Sequence, residues 1–285
     1  MTLKELKSTF ITQLSEVYPS QEVESIFTVL SEYFLNYTRL ETVLKADESL
    51  SKEIIKHFEN AISRLKRQEP VQYICGKTEF YSLPFKVDKH TLIPRPETEG
   101  LVQWIIDDEN KKQTKSKTLL DIGTGSGCIA ISLAKNLKDI DVSALDFSPE
   151  ALKTAHKNSV LNSVKVTFFE LDLMDEQTLP QRYDIMVSNP PYVRELEKSD
   201  MRSNVLEYEP KSALFVTDKD PFLFYRRIAR LANLYLTDNG RVYFEINEYL
   251  SDELKALLLT ERFTDIEVRK DIFGKDRMIK CSVHE

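Results

Sequence analysis

The chain has 285 residues, 41% apolar and 30% charged, with a formal net charge of −7 and a pI near 5.4. That is enough for two globular domains, and the acidic balance argues against a partner gripped through its phosphate backbone, which needs a basic face. Cys75, Cys128 and Cys281 lie far apart without a CxxC pair or a histidine cluster, which excludes a disulfide scaffold and a zinc site, and no apolar stretch is long enough to span a bilayer or serve as a signal peptide.

Residues 1 to about 70 read as helices. Leu3, Leu6, Phe10 and Leu14 recur at helical spacing, and Pro19-Ser20 opens a second helix with Val23, Ile26, Phe27, Leu30 and Phe34 on one face. A third helix starts near Ser51 and carries Ile54, Ile55, Phe58, Ile62 and Leu65. From Val71 to Leu92 the period shifts toward two, with Phe80, Phe85 and Val87 predicting a β-hairpin. A helix holding Leu101, Val102 and Trp104 follows, then a polar run from Asp107 to Lys117, with Lys111, Lys112, Lys115 and Lys117, expected to be a solvated connection.

Beyond it strands and helices alternate, with strands expected at 118–122, 142–145, 165–171, 183–188 and 241–246. That pattern predicts an α/β fold with a doubly wound, mostly parallel sheet. Thr264 to Val268 and Arg277 to Val283 flank a loop over 271–276 and read as two final strands.

The strand at 118–122 runs into Gly123-Thr124-Gly125-Ser126-Gly127 and then a helical apolar pattern from Cys128. Strand, glycine loop and helix make a nucleotide-type site, in which glycines permit the turn and the close approach of a ligand. The loop lacks Gly-Lys-Ser/Thr and so is no triphosphate-binding loop. The next strand ends in Asp146, placed to bond ribose hydroxyls, followed by Phe147, which can pack on an adenine. Ser148-Pro149 caps the helix after it.

The strand over 183–188 ends in Ser188-Asn189-Pro190-Pro191-Tyr192. Two prolines stiffen the segment and leave its carbonyls free. The Asn189 side-chain oxygen and the Pro190 carbonyl form a pair of acceptors for the two hydrogens of a planar NH2 group, and Tyr192 can cover that group's face. Taken alone, the tetrapeptide is equally compatible with a proline-rich turn around a buried tyrosine.

Asp-x-Gly-x-Gly-x-Gly, the acid ending the second strand and Asn-Pro-Pro-Tyr ending the fourth together resemble the S-adenosylmethionine-dependent methyltransferases of class I that modify amide or exocyclic amino nitrogens. Gly76 to Val87 and Leu92-Ile93-Pro94-Arg95-Pro96-Glu97-Thr98-Glu99, with Arg67-x-Glu69-Pro70-Val71-x-Tyr73-Ile74, narrow the resemblance to the bacterial peptide chain release factor N5-glutamine methyltransferases, the PrmC/HemK family.

The resemblance implies a small N-terminal helical domain (1–70) that docks the protein substrate, a hairpin linker (71–94) and a methyltransferase domain (95–285) ending in an antiparallel hairpin. It implies S-adenosylmethionine held by residues 123–127, Asp146, Phe147, Asp172, Leu173 and Asn189, and a substrate glutamine held by Asn189, Pro190, Pro191 and Tyr192, with Asn189, Pro190 and Tyr192 catalytic. Asp172 is the expected partner of the adenine amino group, while Leu173 stands where one form of the family has an aromatic residue. The implied partner is a class-1 release factor, with no stable nucleic acid, no metal and a cytoplasmic setting. Two alternatives remain at this point: a DNA or RNA exocyclic-amine methyltransferase, and a non-catalytic cofactor-binding protein that docks translation factors. The charged stretch from Tyr192 to Phe222 is long for a loop and is expected to wall the substrate groove, becoming ordered on binding. Arg95 receives no role from the sequence.

Overall fold

The computed structural model describes residues 1–111, 117–175 and 178–283. Two of the lysines in the polar run, Lys112 and Lys115, lie outside the described residues. The chain divides into two units, Met1–Gly76 with Arg202–Tyr208, and Lys77–Met201 with Glu209–Glu285.

The first unit is helical. Helix α1 (Leu3–Leu14) opens with a capping box in which Thr2 and Glu5 satisfy each other's backbone N–H. Helix α2 (Ser20–Leu35) ends at Asn36 in the left-handed region, α3 (Arg39–Leu44) has a second capping box, and α4 (Lys52–Leu65) starts at Ser51. Phe10, Phe27 and Phe58 meet with ring centroids 5.3–6.4 Å apart in a core that also holds Leu6, Leu30 and Leu65. Val71–Cys75, at the start of the region expected as a hairpin, does not join it. It forms a short helix, α5, because Pro70 supplies a helical start and Gly76 (φ 64°) a left-handed stop. Arg202–Tyr208 completes the unit, with Arg202 paired to Glu22 and the Tyr208 hydroxyl donating to the Arg67 carbonyl at 2.8 Å.

The second unit begins with the hairpin β1 (Lys77–Phe80) and β2 (Leu83–Lys86), whose turn residues Tyr81 and Ser82 both have positive φ, as a type I′ turn requires. Phe80 and Phe85 pack into the core beside helix α6 (Pro96–Asn110), which opens with Pro96 in its first turn. There follow β3 (Lys117–Ile122), α7 (Cys128–Asn136), β4 (Ile140–Asp146), α8 (Pro149–Leu161), β5 (Thr167–Glu170) and β6 (Tyr183–Ser188). The stretch expected as one long loop contains β7 (Val193–Arg194), a 3-10 turn, α9 (Ser203–Tyr208, in the first unit), a second 3-10 turn and β8 (Phe215–Val216). The chain closes with α10 (Leu223–Tyr235), β9 (Leu236–Glu245), α11 (Ser251–Thr260), β10 (Phe263–Lys270) and β11 (Asp276–Val283).

Seven strands form one sheet in the order β10-β11-β9-β6-β3-β4-β5, parallel except for β11, which runs antiparallel to β9 and β10. Successive residues face opposite layers: Leu119, Ile185 and Tyr243 join the cluster with α6 and α7, while Leu120, Met186 and Phe244 join the cluster with α10 and α11. Strand order reverses between β3 and β6, so the carboxyl ends of these neighbours border a crevice. The polar run after Trp104 is less solvated than expected. Asp108 is buried against the Tyr243 hydroxyl and Lys280, because α6 continues to Asn110. No described helix is long and apolar enough to cross a membrane.

Candidate active site

A cavity of about 490 Å³ opens at the switch between β3 and β6, a size typical of small-molecule sites. One wall is the glycine loop. Gly123, Gly125 and Gly127 all have positive φ (74°, 55° and 82°), and a Cβ on Gly127 would stand 2.9 Å from Ile131 Cδ1. The first two could carry a Cβ into open space, which marks the side from which a ligand approaches.

Asp121 braces this loop from beneath. One carboxylate oxygen accepts from the Thr124 hydroxyl (2.6 Å) and the Ala130 N–H (3.2 Å). The other oxygen is buried with no protein partner, and burial pushes the Asp121 carboxyl up to about 7. Asp121 is the first residue of the Asp-x-Gly-x-Gly-x-Gly motif, and sequence reading assigned it no role of its own.

Asp146 ends β4 at the cavity wall. It accepts from the Gly125 N–H at 2.8 Å and the Ser148 N–H at 2.9 Å, so strand, loop and the cap of α8 meet at one carboxylate. Burial raises its pKa against those two bonds. Thr124, Ser126, Phe147, Asp172 and Leu173 also line the cavity, and Asp172 accepts from the Met174 N–H. Gly127 faces α7 and α8 and is not among the lining residues. Two acids and apolar walls in one cavity fit a cationic ligand bearing a ribose and an adenine.

The opposite wall is Asn189, Pro190 and Pro191. Ser188 ties the end of β6 to β3 by donating to the Ile122 carbonyl at 2.7 Å. Asn189 Nδ2 donates to Thr98 Oγ1 at 3.3 Å, and Thr98 Oγ1 donates to Glu245 Oε2 at 2.6 Å. Tyr192 stands apart from this wall. Its ring packs into the core and its hydroxyl donates to Glu245 Oε1 at 2.9 Å, so it does not cover the cavity as the sequence suggested. A buried carboxylate that needs a donor holds the ring there. Burial also raises the Glu245 pKa, against the bonds from Thr98 and Tyr192 and the charge of nearby Arg277.

The segment after the Asn189–Pro190 clamp, the pair of acceptors that follows β6, supplies Pro210, Ser212, Ala213 and Phe215 to the cavity. Within it Glu209, 4% exposed, accepts from the Ile93 N–H at 3.1 Å and pairs with Arg95, which also lines the cavity. This gives Arg95 the partner that no local pattern revealed, and sequence reasoning likewise missed Lys89, His90 and Phe224 in the lining.

Comparison with known proteins agrees with this architecture. The family model described as "PrmC N-terminal domain" matches residues 5–76, and that described as "Methyltransferase small domain" matches residues 103–212. The "Release factor glutamine methyltransferase" of Flavobacterium psychrophilum is 50% identical over 283 residues, covering 99% of both chains. The protein of the same name from Bacteroides thetaiotaomicron is 45% identical, covering 94% of this chain and 96% of its own. Among solved structures, the 16S rRNA N2 G1207 methyltransferase of T. thermophilus, in complex with AdoMet and guanosine, superposes with a TM-score of 0.52 at 15% identity. It covers 73% of this chain and 50% of that one and shares the fold alone. On relatives this similar over nearly its whole length, the chain belongs to the release factor glutamine methyltransferase family.

Proposed function

We propose that the chain methylates the side-chain amide nitrogen of a protein glutamine, that of the Gly-Gly-Gln loop of a class-1 peptide chain release factor. The methyl donor is S-adenosylmethionine, in keeping with the methyltransferase domain match. When bound, it supplies an electrophilic methyl group on a sulfonium. Asp146 would hold its ribose, Asp172 and the walls at Phe147 and Leu173 its adenine, and the turn over 123–127 its remaining portion.

An amide nitrogen is a poor nucleophile, since its lone pair is delocalised into the carbonyl. Asn189 Oδ1 and the Pro190 carbonyl can each accept one of its two hydrogens and so hold its lone-pair face toward the donor. Orientation of this kind can lower a barrier by about 7–11 kcal/mol. The same acceptors favour the positive charge that develops on nitrogen in the transition state. The methylated nitrogen is then acidic enough to lose its proton to water, so no general base is assigned.

The observation that carries this reading is the direction of the Asn189 amide. Its NH2 is committed to Thr98 while the residue lines the same cavity as Asp146. Residues 1–70 would dock the protein substrate, the hairpin region 71–94 would link it to the catalytic residues 95–285, and the acidic balance favours a protein over a nucleic acid as partner. The reaction is assigned to the cytoplasm, where release factors are made.

The test is mass spectrometry of an unmodified class-1 release factor incubated with the chain and S-adenosylmethionine. A gain of one methyl group on the Gly-Gly-Gln glutamine, lost with Asn189→Ala, is expected. Methylation of nucleic acid in a parallel reaction, with the release factor unchanged, would keep the cavity's chemistry and overturn the substrate.

A further inference from the structure

Two buried side chains with no place in the chemistry above converge on Asn189. Thr98 lies in the first turn of α6, 2% exposed, and Glu245 ends β9, 1% exposed. They are distant in sequence, yet Thr98 Oγ1 stands 2.6 Å from Glu245 Oε2 and 3.3 Å from Asn189 Nδ2. From these contacts we infer that Glu245 and Thr98 are positioning residues, which set the direction of the Asn189 amide and so make the clamp accept amide hydrogens rather than donate them. This deepens the clamp reading and rests on it.

A carboxylate only accepts, and a threonine hydroxyl has a single hydrogen. With that hydrogen committed to Glu245, Thr98 can only accept from Asn189. The asparagine must therefore offer its NH2 to Thr98 and turn Oδ1 away from it. An asparagine without such a partner can present either end, and the wrong end would set an NH2 against the substrate's NH2.

The other contacts of Glu245 keep the chain of bonds in this sense. The Tyr192 hydroxyl occupies Oε1 at 2.9 Å, leaving Oε2 for Thr98, and Arg277 lies close enough for its positive charge to favour the carboxylate. The Tyr225 hydroxyl donates to the Glu245 backbone carbonyl at 2.9 Å and fixes the strand end. Tyr192 thus contributes to the clamp from behind the cavity rather than from within it.

Glu245→Gln reverses the polarity with almost no change of shape. Its oxygen can keep the Tyr192 bond, which turns the new NH2 toward Thr98. The Thr98 hydroxyl is then released to donate to Asn189 Oδ1, and the amide inverts. Thr98→Val removes the link altogether, and Thr98→Ser keeps it.

The experiment measures turnover on an unmodified class-1 release factor, S-adenosylmethionine affinity and melting temperature for the full chain and these variants, with Asn189→Ala alongside. Expected is a fall in kcat of about 10²-fold for Glu245→Gln and Thr98→Val, the scale of a misplaced reacting group, with cofactor affinity held and turnover restored by Thr98→Ser. Glu245→Gln should also bind a release factor with Glu in place of the Gly-Gly-Gln glutamine nearly as well as the unsubstituted one, since an inverted Asn189 donates. Thr98→Val is the decisive variant should Glu245→Gln not fold. Wild-type kcat in folded Thr98→Val beside an inactive Asn189→Ala would overturn the relay and leave the clamp standing. Parallel losses of turnover, cofactor affinity and melting temperature would overturn it as mere structural support. Full activity of Asn189→Ala would remove the clamp reading and this inference with it.

Discussion

Asp121 and Asp146 stand near the ends of neighbouring strands, yet burial leaves them in different situations. Asp146 has a backbone donor on each oxygen and faces the cavity, whereas Asp121 has two donors on one oxygen and none on the other. Asp146→Ala should weaken S-adenosylmethionine binding by roughly 10- to 100-fold, the equivalent of one charge-assisted hydrogen bond lost, as calorimetry would measure. The Asp121 carboxyl, held up to about 7 against an ordinary 3.8, makes the fold bind an extra proton between those values. Its stabilising contribution is complete below about pH 4 and is lost as pH rises through 7. Melting curves of the ligand-free protein should therefore show stability falling over that window relative to Asp121→Asn, with a slope approaching about 1.4 kcal/mol per pH unit. The glycine loop, Asp146 and Asn189 were legible from sequence because backbone geometry and strand ends dictate them locally. The bonds from Thr98 to Glu245 and from Arg95 to Glu209 were not, because only the folded sheet brings such distant residues together.

Each element followed the sequence where its period and its caps agreed. Helix α1 begins at its capping box and α8 at Ser148, and strands β3 and β6 occupy the expected apolar runs. Val71–Cys75 lies outside the hairpin because its apolar side chains suit either period, and the flanking Pro70 and Gly76 select the helix. Strand β5 is shorter than the expected 165–171, and the charged stretch after Tyr192 folds into short strands, 3-10 turns and one short helix that carry no period. The packing of α7 on α8 depends on Gly127, where both a positive φ and close neighbours, Ile131 Cδ1 at 2.9 Å and Ala155 Cβ at 3.2 Å, oppose any side chain. Gly127→Ala should cost about 1–3 kcal/mol in denaturant unfolding, with the midpoint lowered and the m-value unchanged. An unaltered midpoint would mean that α7 shifts freely against its neighbour.

For the whole molecule, composition predicted two units, and the folded chain shows that the first is not contiguous. Arg202–Tyr208 belongs with residues 1–76, anchored by Arg202 to Glu22 and by Tyr208 to the Arg67 carbonyl. A chain lacking residues 1–76 should lose hydrogen-exchange protection over 202–208 and become cleavable there by limited proteolysis. The seven-stranded sheet, which draws none of its strands from the first unit, should keep its protection. The same discontinuity bears on how the protein is made. Synthesis runs from the N-terminus, so α1 to α5 can gather on the ribosome early, but their unit lacks its last seven residues until most of the second unit has been translated. The first unit is thus the earliest to start folding yet stays incomplete until residue 208 has been made, and it cannot be exchanged between relatives as a single uninterrupted cassette.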